Sequence, residues 1–191
     1  MQNQYQAFIQ LLLTWNAKIN LTAITDPKEI QVKHIEDCLS LLPHLGDATS
    51  VIDLGTGGGF PGIPLKIARP DLKVTMIEAT RKKVSFLYKA IAELGLHGIQ
   101  AIEGRAEDLK TQEKVGKADV VVSRATWQLK DFLPIALGYC HPKSRIFAMK
   151  GPRFEEELAA MPTACGTSHK VHPYRLSSGE ERFILEFQVD Q

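Results

Sequence analysis

The chain has 191 residues, 44% hydrophobic and 24% charged, with a formal net charge of +1. That is one ordinary domain with enough apolar material for a sizeable core, and the composition fits a soluble globular protein rather than a disordered or membrane one. No apolar run approaches the ~20 residues of a membrane helix, and Met1–Gln10 lacks the basic and small-residue features of a signal peptide.

Helical patterns come first. Phe8, Ile9, Leu12 and Trp15 recur at helical spacing within Tyr5–Lys18. Asp26-Pro27 reads as an N-cap followed by a first-turn proline, and Ile30, Ile35, Leu39 and Leu42 continue that second helix until Pro43. After Gly46 short strands alternate with helices. Strands are predicted at Ser50–Leu54, Lys73–Ile77, Ile99–Glu103, Ala118–Ser123 and Ser144–Met149. Helices are predicted at Ile63–Ala68, Lys82–Leu94 and Leu129–Gly138. The tail reads as a hairpin, His169–Leu176 and Arg182–Val189 about a Ser177-Ser178-Gly179 turn. The alternation implies an α/β, doubly wound, Rossmann-like sheet, mostly parallel, with an antiparallel C-terminal hairpin. Residues 1–45 are read as a helical appendage and 46–191 as the α/β domain.

The strongest local signal is Asp53-Leu54-Gly55-Thr56-Gly57-Gly58-Gly59-Phe60-Pro61-Gly62 at the end of the first strand. Glycines let the backbone turn sharply and approach a ligand closely, and the following helix presents free amides. Glu78 closes the second strand at about the 20-residue spacing of an acid that accepts ribose hydroxyls. Gly57-x-Gly59-x-x-Gly62 formally matches a dinucleotide fingerprint, yet the glycine next to the strand is Gly55, and in that register Phe60 breaks the fingerprint. Asp53-x-Gly55-x-Gly57-x-Gly59 instead resembles motif one of the class I methyltransferases, which implies S-adenosylmethionine held by Gly55, Gly57 and Gly59. A dinucleotide site and a purely structural loop are the alternatives. Gly104-Arg105-Ala106-Glu107 ends the third strand, where adenine would lie, and Ser123-Arg124-Ala125 ends the fourth, beside the transferable methyl. The alternative reading of Glu107 is an acid favoured by a helix start.

The acceptor is narrowed by chemistry. Methylation at pyrimidine C5 needs a cysteine nucleophile beside a proline or threonine at a strand end, and none of Cys38, Cys140 and Cys165 has that setting. Exocyclic amines typically call for an Asn/Asp-Pro-Pro-aromatic turn after the fourth strand, where this chain has Ser123-Arg124-Ala125-Thr126. Guanine N7 carries a free lone pair and needs positioning but no base.

Trp15-Asn16-x-x-x-Asn20-Leu21-Thr22, His34-Ile35-x-Asp37, the glycine loop through Pro64-Leu65, Ser123-Arg124-Ala125 and Lys150-Gly151 together resemble the glucose-inhibited division protein B family. These are bacterial guanine-N7 methyltransferases of 16S ribosomal RNA, and the resemblance runs from about Tyr5 to the tail. It implies cofactor contacts at Gly55, Phe60, Ala106, Glu107 and Arg124, with Glu78 as the ribose acid. It makes Arg124, Lys150 and Arg182 the catalytic candidates, the last two at basic positions facing RNA or the transferred group. The implied partner is the small ribosomal subunit, with no metal and no membrane, and the chain is expected to be a monomer. Cys38 departs from the family pattern, where a serine is expected, and the chain starts at its first helix where relatives carry extra N-terminal residues.

The remaining features take quieter readings. Three widely spaced cysteines without Cys-x-x-Cys suggest buried small hydrophobes in a cytoplasmic protein, neither a disulfide framework nor a zinc site. Arg81-Lys82-Lys83 opens a helix, where the dipole disfavours cations, and is read with Lys130, Lys150, Arg153 and Arg182 as an RNA-facing patch or else as a solvated surface. Phe8 and Trp15 are assigned to the core, His34 to a hydrogen bond within the appendage, Asn20 and Thr22 to a turn. No lid-like insertion interrupts the alternating elements, which favours an open face and a large substrate. Another RNA or a small molecule is the alternative acceptor, and a nicotinamide-dependent dehydrogenase the alternative class.

Overall fold

The computed structural model describes residues 2–161 and 168–189, so Cys165 lies outside the described residues. Seven strands form one sheet: β1 (Ser50–Leu54), β2 (Lys73–Glu78), β3 (Ile99–Glu103), β4 (Ala118–Arg124), β5 (Cys140–Lys150), β6 (His169–Arg175) and β7 (Glu181–Gln188). Their order is β3-β2-β1-β4-β5-β7-β6, with β1 to β5 parallel and β7 antiparallel to both β5 and β6. The doubly wound reading with a closing hairpin therefore holds. The hairpin turn uses Gly179 at φ 89°.

The central strands read as continuous apolar runs because both faces are covered. Val51, Val120, Val122, Phe147 and Met149 point into one core. Their neighbours Ile52, Val121, Ile146 and Ala148 point into the other, as the two-residue period requires. Helix α1 (Gln2–Asn16) lays Phe8 and Leu12, both fully buried, onto the first core, where they meet Phe60 and Phe86. Cys38 and Cys140 are buried free thiols among apolar neighbours. No described helix is long and apolar enough to cross a membrane.

Several expectations of the sequence change, and β5 begins at Cys140 where Ser144 was predicted. The first helix ends at Asn16, two residues before Lys18, because the Asn16 side chain turns back to clamp the loop. Its Oδ1 accepts from the Leu21 and Thr22 amides and its Nδ2 donates to the Thr22 carbonyl. The single second helix is broken into α2 (Pro27–Ile30), a π-helical turn (Gln31–Glu36), α3 (Asp37–Leu39) and α4 (Leu42–Leu45). Asp26 caps α2 at 2.9 Å as read, but Pro43 sits in the first turn of α4, where its missing N–H is harmless. Two short helices carry too weak a pattern for the sequence to show: α7 (Leu109–Val115) and α9 (Phe154–Ala159). The remaining three, α5 (Gly62–Ala68), α6 (Arg81–Glu93) and α8 (Leu129–Leu137), fall within a residue of their predicted bounds.

Candidate active site

The C-terminal ends of β1, β2, β3 and β4 open on one cavity of about 540 Å³, at the point where strand order reverses between β1 and β4. Ligands bind there in open α/β sheets because neighbouring crossovers leave in opposite directions. Gly55 follows β1 at φ 63°, and a Cβ on it would lie 2.6 Å from Thr126 Cγ2 and 3.0 Å from the Trp127 ring. Gly55→Ala is therefore expected to cost about 1–3 kcal/mol in strain and displaced side chains and to weaken cofactor binding. A thermal melt with a cofactor titration checks both, and an unchanged pair of values would contradict the close approach. Asp53, fully buried, fixes the loop from below: its Oδ2 accepts from Thr56 Oγ1 at 2.6 Å and from the Gly62 amide at 2.8 Å. Among the described residues its Oδ1 has no partner, and burial pushes the carboxyl up to about 7.

Glu78 is 7% exposed and faces the cavity from the end of β2. Its Oε2 accepts from the Gly57 amide at 3.1 Å and its Oε1 from the Thr80 amide at 2.8 Å. Each carboxylate oxygen keeps a further lone pair. A Cβ built on Gly57 meets nothing within 4 Å, so that stretch of backbone borders open space. An acid held by two amides beside an uncovered glycine backbone fits a ribose diol and the polar tail of a nucleoside cofactor.

Arg124, at the end of β4, closes the far side with its side chain 16% exposed. Its guanidinium lies 5.0 Å over the Phe60 ring, donates to Asp37 Oδ2 at 3.0 Å and to the Lys33 carbonyl at 3.2 Å, and sits 3.2 Å from His34 Nδ1. Guanidinium only donates, so His34 Nδ1 accepts, and the proton is on Nε2, which donates to Thr22 Oγ1 at 2.7 Å. The Lys33 carbonyl, 3.0 Å from Nδ1, is then served by Arg124 and not by the ring. Tyr174 of β6 donates to the other Asp37 oxygen at 2.7 Å. This chain ties the C-terminal hairpin and the π-helical turn to the end of β4, and π turns commonly mark such sites. Tyr174→Phe leaves one buried carboxylate oxygen unpaired and is expected to cost roughly 1–3 kcal/mol, read as a lower midpoint in urea.

Burial, helped by the Arg124 charge, pushes His34 down to about 4. The unfolded chain then binds more protons than the folded one between pH ~6.5 and about 4. Stability from this group is full above that window and declines as pH falls through it, by roughly 3 kcal/mol in all. Asp53, raised, contributes the opposite slope between its ordinary range and about 7. The difference between the wild-type and His34→Gln melting curves across pH 4–7 isolates the histidine. Parallel curves would contradict its buried neutral state.

Of the sequence candidates, Gly55, Gly57, Phe60, Glu78, Ala106, Glu107 and Arg124 border the cavity together. Gly59 stands behind it, bonded to the Thr56 carbonyl and the Ile63 amide. Glu107 is half exposed and pairs with Arg105 at 3.3 Å. Lys150 and Arg182 border a second cavity of about 260 Å³ that shares His34, Arg124 and Ala125 with the first. Lys150 is 9% exposed, bonded to the Trp127 carbonyl and at 2.7 Å to Glu157, and Arg182 pairs with Glu180. Of the remaining basic candidates Lys83 borders the first cavity, while Arg81, Lys82, Lys130 and Arg153 are exposed. The reading of single residues missed Asp37, Tyr174 and Trp127, and underweighted His34. Only the spacing His34-x-x-Asp37 hinted at a shared face. Among the described residues no cluster of His, Cys, Asp or Glu could hold a metal.

A seven-stranded sheet of this order with a nucleoside cavity at its switch point is a class I methyltransferase fold. The precorrin-6y C5,15-methyltransferase of Geobacter metallireducens matches 91% of this chain with 92% of its own, at a TM-score of 0.62 and 13% identity. An O-methyltransferase of Bacillus cereus, solved in complex with SAH, matches 96% with 91%, at a TM-score of 0.63 and 21% identity. The model of one sequence family, rRNA small subunit methyltransferase G, matches residues 1–184, and the chain belongs to that family. The ribosomal RNA small subunit methyltransferase G of Myxococcus xanthus is 46% identical over 187 residues, 95% of this chain and 85% of the relative. The protein of the same name from Burkholderia thailandensis is 40% identical over 188 residues, 96% and 81%. The cofactor is S-adenosylmethionine.

Proposed function

We propose that the chain transfers a methyl group from S-adenosylmethionine to N7 of a guanine in 16S ribosomal RNA, acting as a cytoplasmic monomer on the small subunit. The observation that carries this reading is the make-up of the cavity end bounded by β4. Arg124 is a permanent cation, and neutral His34 has Nδ1 taken by Arg124 and Nε2 bonded to Thr22. Neither group is free to remove a proton, and N7 has no proton to lose. When bound, the cofactor supplies a methyl on a sulfonium: the N7 lone pair forms the N–CH₃ bond, the S–CH₃ electron pair returns to sulfur, and the positive charge passes to the purine.

The chain's own residues bind and orient. Glu78 would accept the ribose hydroxyls, Ala106 and Glu107 would border the adenine, and the backbone of Gly55 and Gly57 would take the amino-acid end. Gly59 keeps that loop in shape from behind. Phe60 and Arg124 would wall the transferring methyl, and Lys150 and Arg182 would meet the RNA. Arg81, Lys82, Lys83, Lys130 and Arg153 would supply phosphate contacts around the opening, each adding to the salt dependence of binding.

The test uses labelled S-adenosylmethionine and small subunits from a bacterium lacking this modification, with N7-methylguanine mapped by reduction and aniline cleavage. One cleavage site is expected. No transfer despite firm cofactor binding would overturn the ribosomal reading and leave the methyltransferase class standing.

A further inference from the structure

We propose that the second cavity is the seat of the acceptor guanine, taken out of the RNA stack and bound as a single base. The inference rests on the guanine-N7 reading of the first cavity. A base edge inside a folded RNA cannot reach a buried methyl, so enzymes acting on it extrude the nucleotide into a fitted pocket. The cavity holds about 260 Å³, room for one purine ring system, and shares its His34, Arg124 and Ala125 wall with the cofactor cavity. A base seated there has one edge against the wall across which the methyl must pass.

The lining selects guanine. Ile24 and Met149 offer apolar surface to the ring, while Lys33, Arg124, Lys150 and Arg182 bring donors from four separate segments. Lys and Arg donate only, so they suit the O6 acceptor of guanine and oppose the N6 amine that adenine presents at that place. Their own pairings fix them without exhausting them. Lys150 spends two of its three N–H groups, on the Trp127 carbonyl and on Glu157. Asp37, 4% exposed, is the acid on this lining. Its oxygens are held by Arg124 and Tyr174, so its charge is balanced by the guanidinium and it fixes the Arg124 fork at the cavity wall.

The experiment fills the cavity from its loop side with Ile24→Trp, a position that does not border the cofactor cavity. Transfer to small subunits is expected to fall about 100-fold or more, with calorimetric binding of S-adenosylhomocysteine within about twofold of wild type. In parallel, guanosine and adenosine monophosphates are titrated into both proteins saturated with S-adenosylhomocysteine, which blocks the first cavity. Wild type is expected to prefer the guanine nucleotide by about tenfold or more, and Ile24→Trp to lose that preference. Full transfer by Ile24→Trp, or equal binding of the two nucleotides by wild type, overturns the proposal. Guanine preference lost in Ile24→Trp, with no transfer by wild type, upholds the cavity and sinks the ribosomal reading instead.

Discussion

Replacing Arg124 with Met is expected to abolish measurable transfer and to lower stability by about 3–5 kcal/mol. Both effects follow from its place between two cavities. The guanidinium is the cationic partner of Asp37, whose side chain is 6% exposed, and removing it leaves a buried carboxylate with only the Tyr174 hydroxyl. It also removes the donor shared by His34 Nδ1 and the Lys33 carbonyl, which lie 3.0 Å apart and then pair only if the imidazole changes tautomer. A protein that merely unfolds would teach nothing about catalysis, so the informative variant is Arg124→Met with Asp37→Asn. Neutralising the partner should restore much of the lost stability, by analogy with buried pairs replaced together, while transfer stays absent. Recovery of transfer in the double variant would reduce Arg124 to a structural role. Arg124→Lys is expected to hold Asp37 yet lose the fork that reaches Lys33 and His34 at once, and so to recover stability more than rate.

Glu78→Gln should raise the dissociation constant for S-adenosylmethionine by about 10–100-fold, since a hydrogen bond to a charged group contributes ~1.5–3 kcal/mol and each ~1.4 kcal/mol is tenfold. Part of that loss arises before any ligand enters. The carboxylate accepts two backbone amides, one per oxygen, and an amide side chain would turn an N–H toward Gly57 or Thr80. Calorimetric titration measures the affinity, and the melting curve shows how much of the change is loop distortion. Unchanged affinity would move the ribose contact to another residue.

How much of this was written in the sequence can be traced element by element. Val120-Val121-Val122 fixed a buried central strand, since only a strand covered on both faces is apolar at successive positions. Gly55, Gly57 and Gly59 all adopt positive φ, a conformation favouring glycine so strongly that their clustering after a short apolar run located the loop. The acid at the end of β2 and the arginine at the end of β4 followed from knowing where parallel strands bind ligands. Short, weakly patterned elements such as α7 and α9 were lost because a helix of two turns shows too little periodicity.

The sequence by itself determined the sheet, its switch point, the cofactor loop and the family, because each is encoded in local patterns of period, glycine and spacing. Only the tertiary structure decided what surrounds Arg124. Asp37 lies 87 positions from it, and Tyr174 lies 137 positions from Asp37. Their meeting depends on the π-helical turn and the C-terminal hairpin folding to the same sheet end. The split of the basic candidates between two cavities was likewise decided in space. A cation's role depends on the acids and carbonyls that the fold places around it, and no local pattern in the chain records those distances.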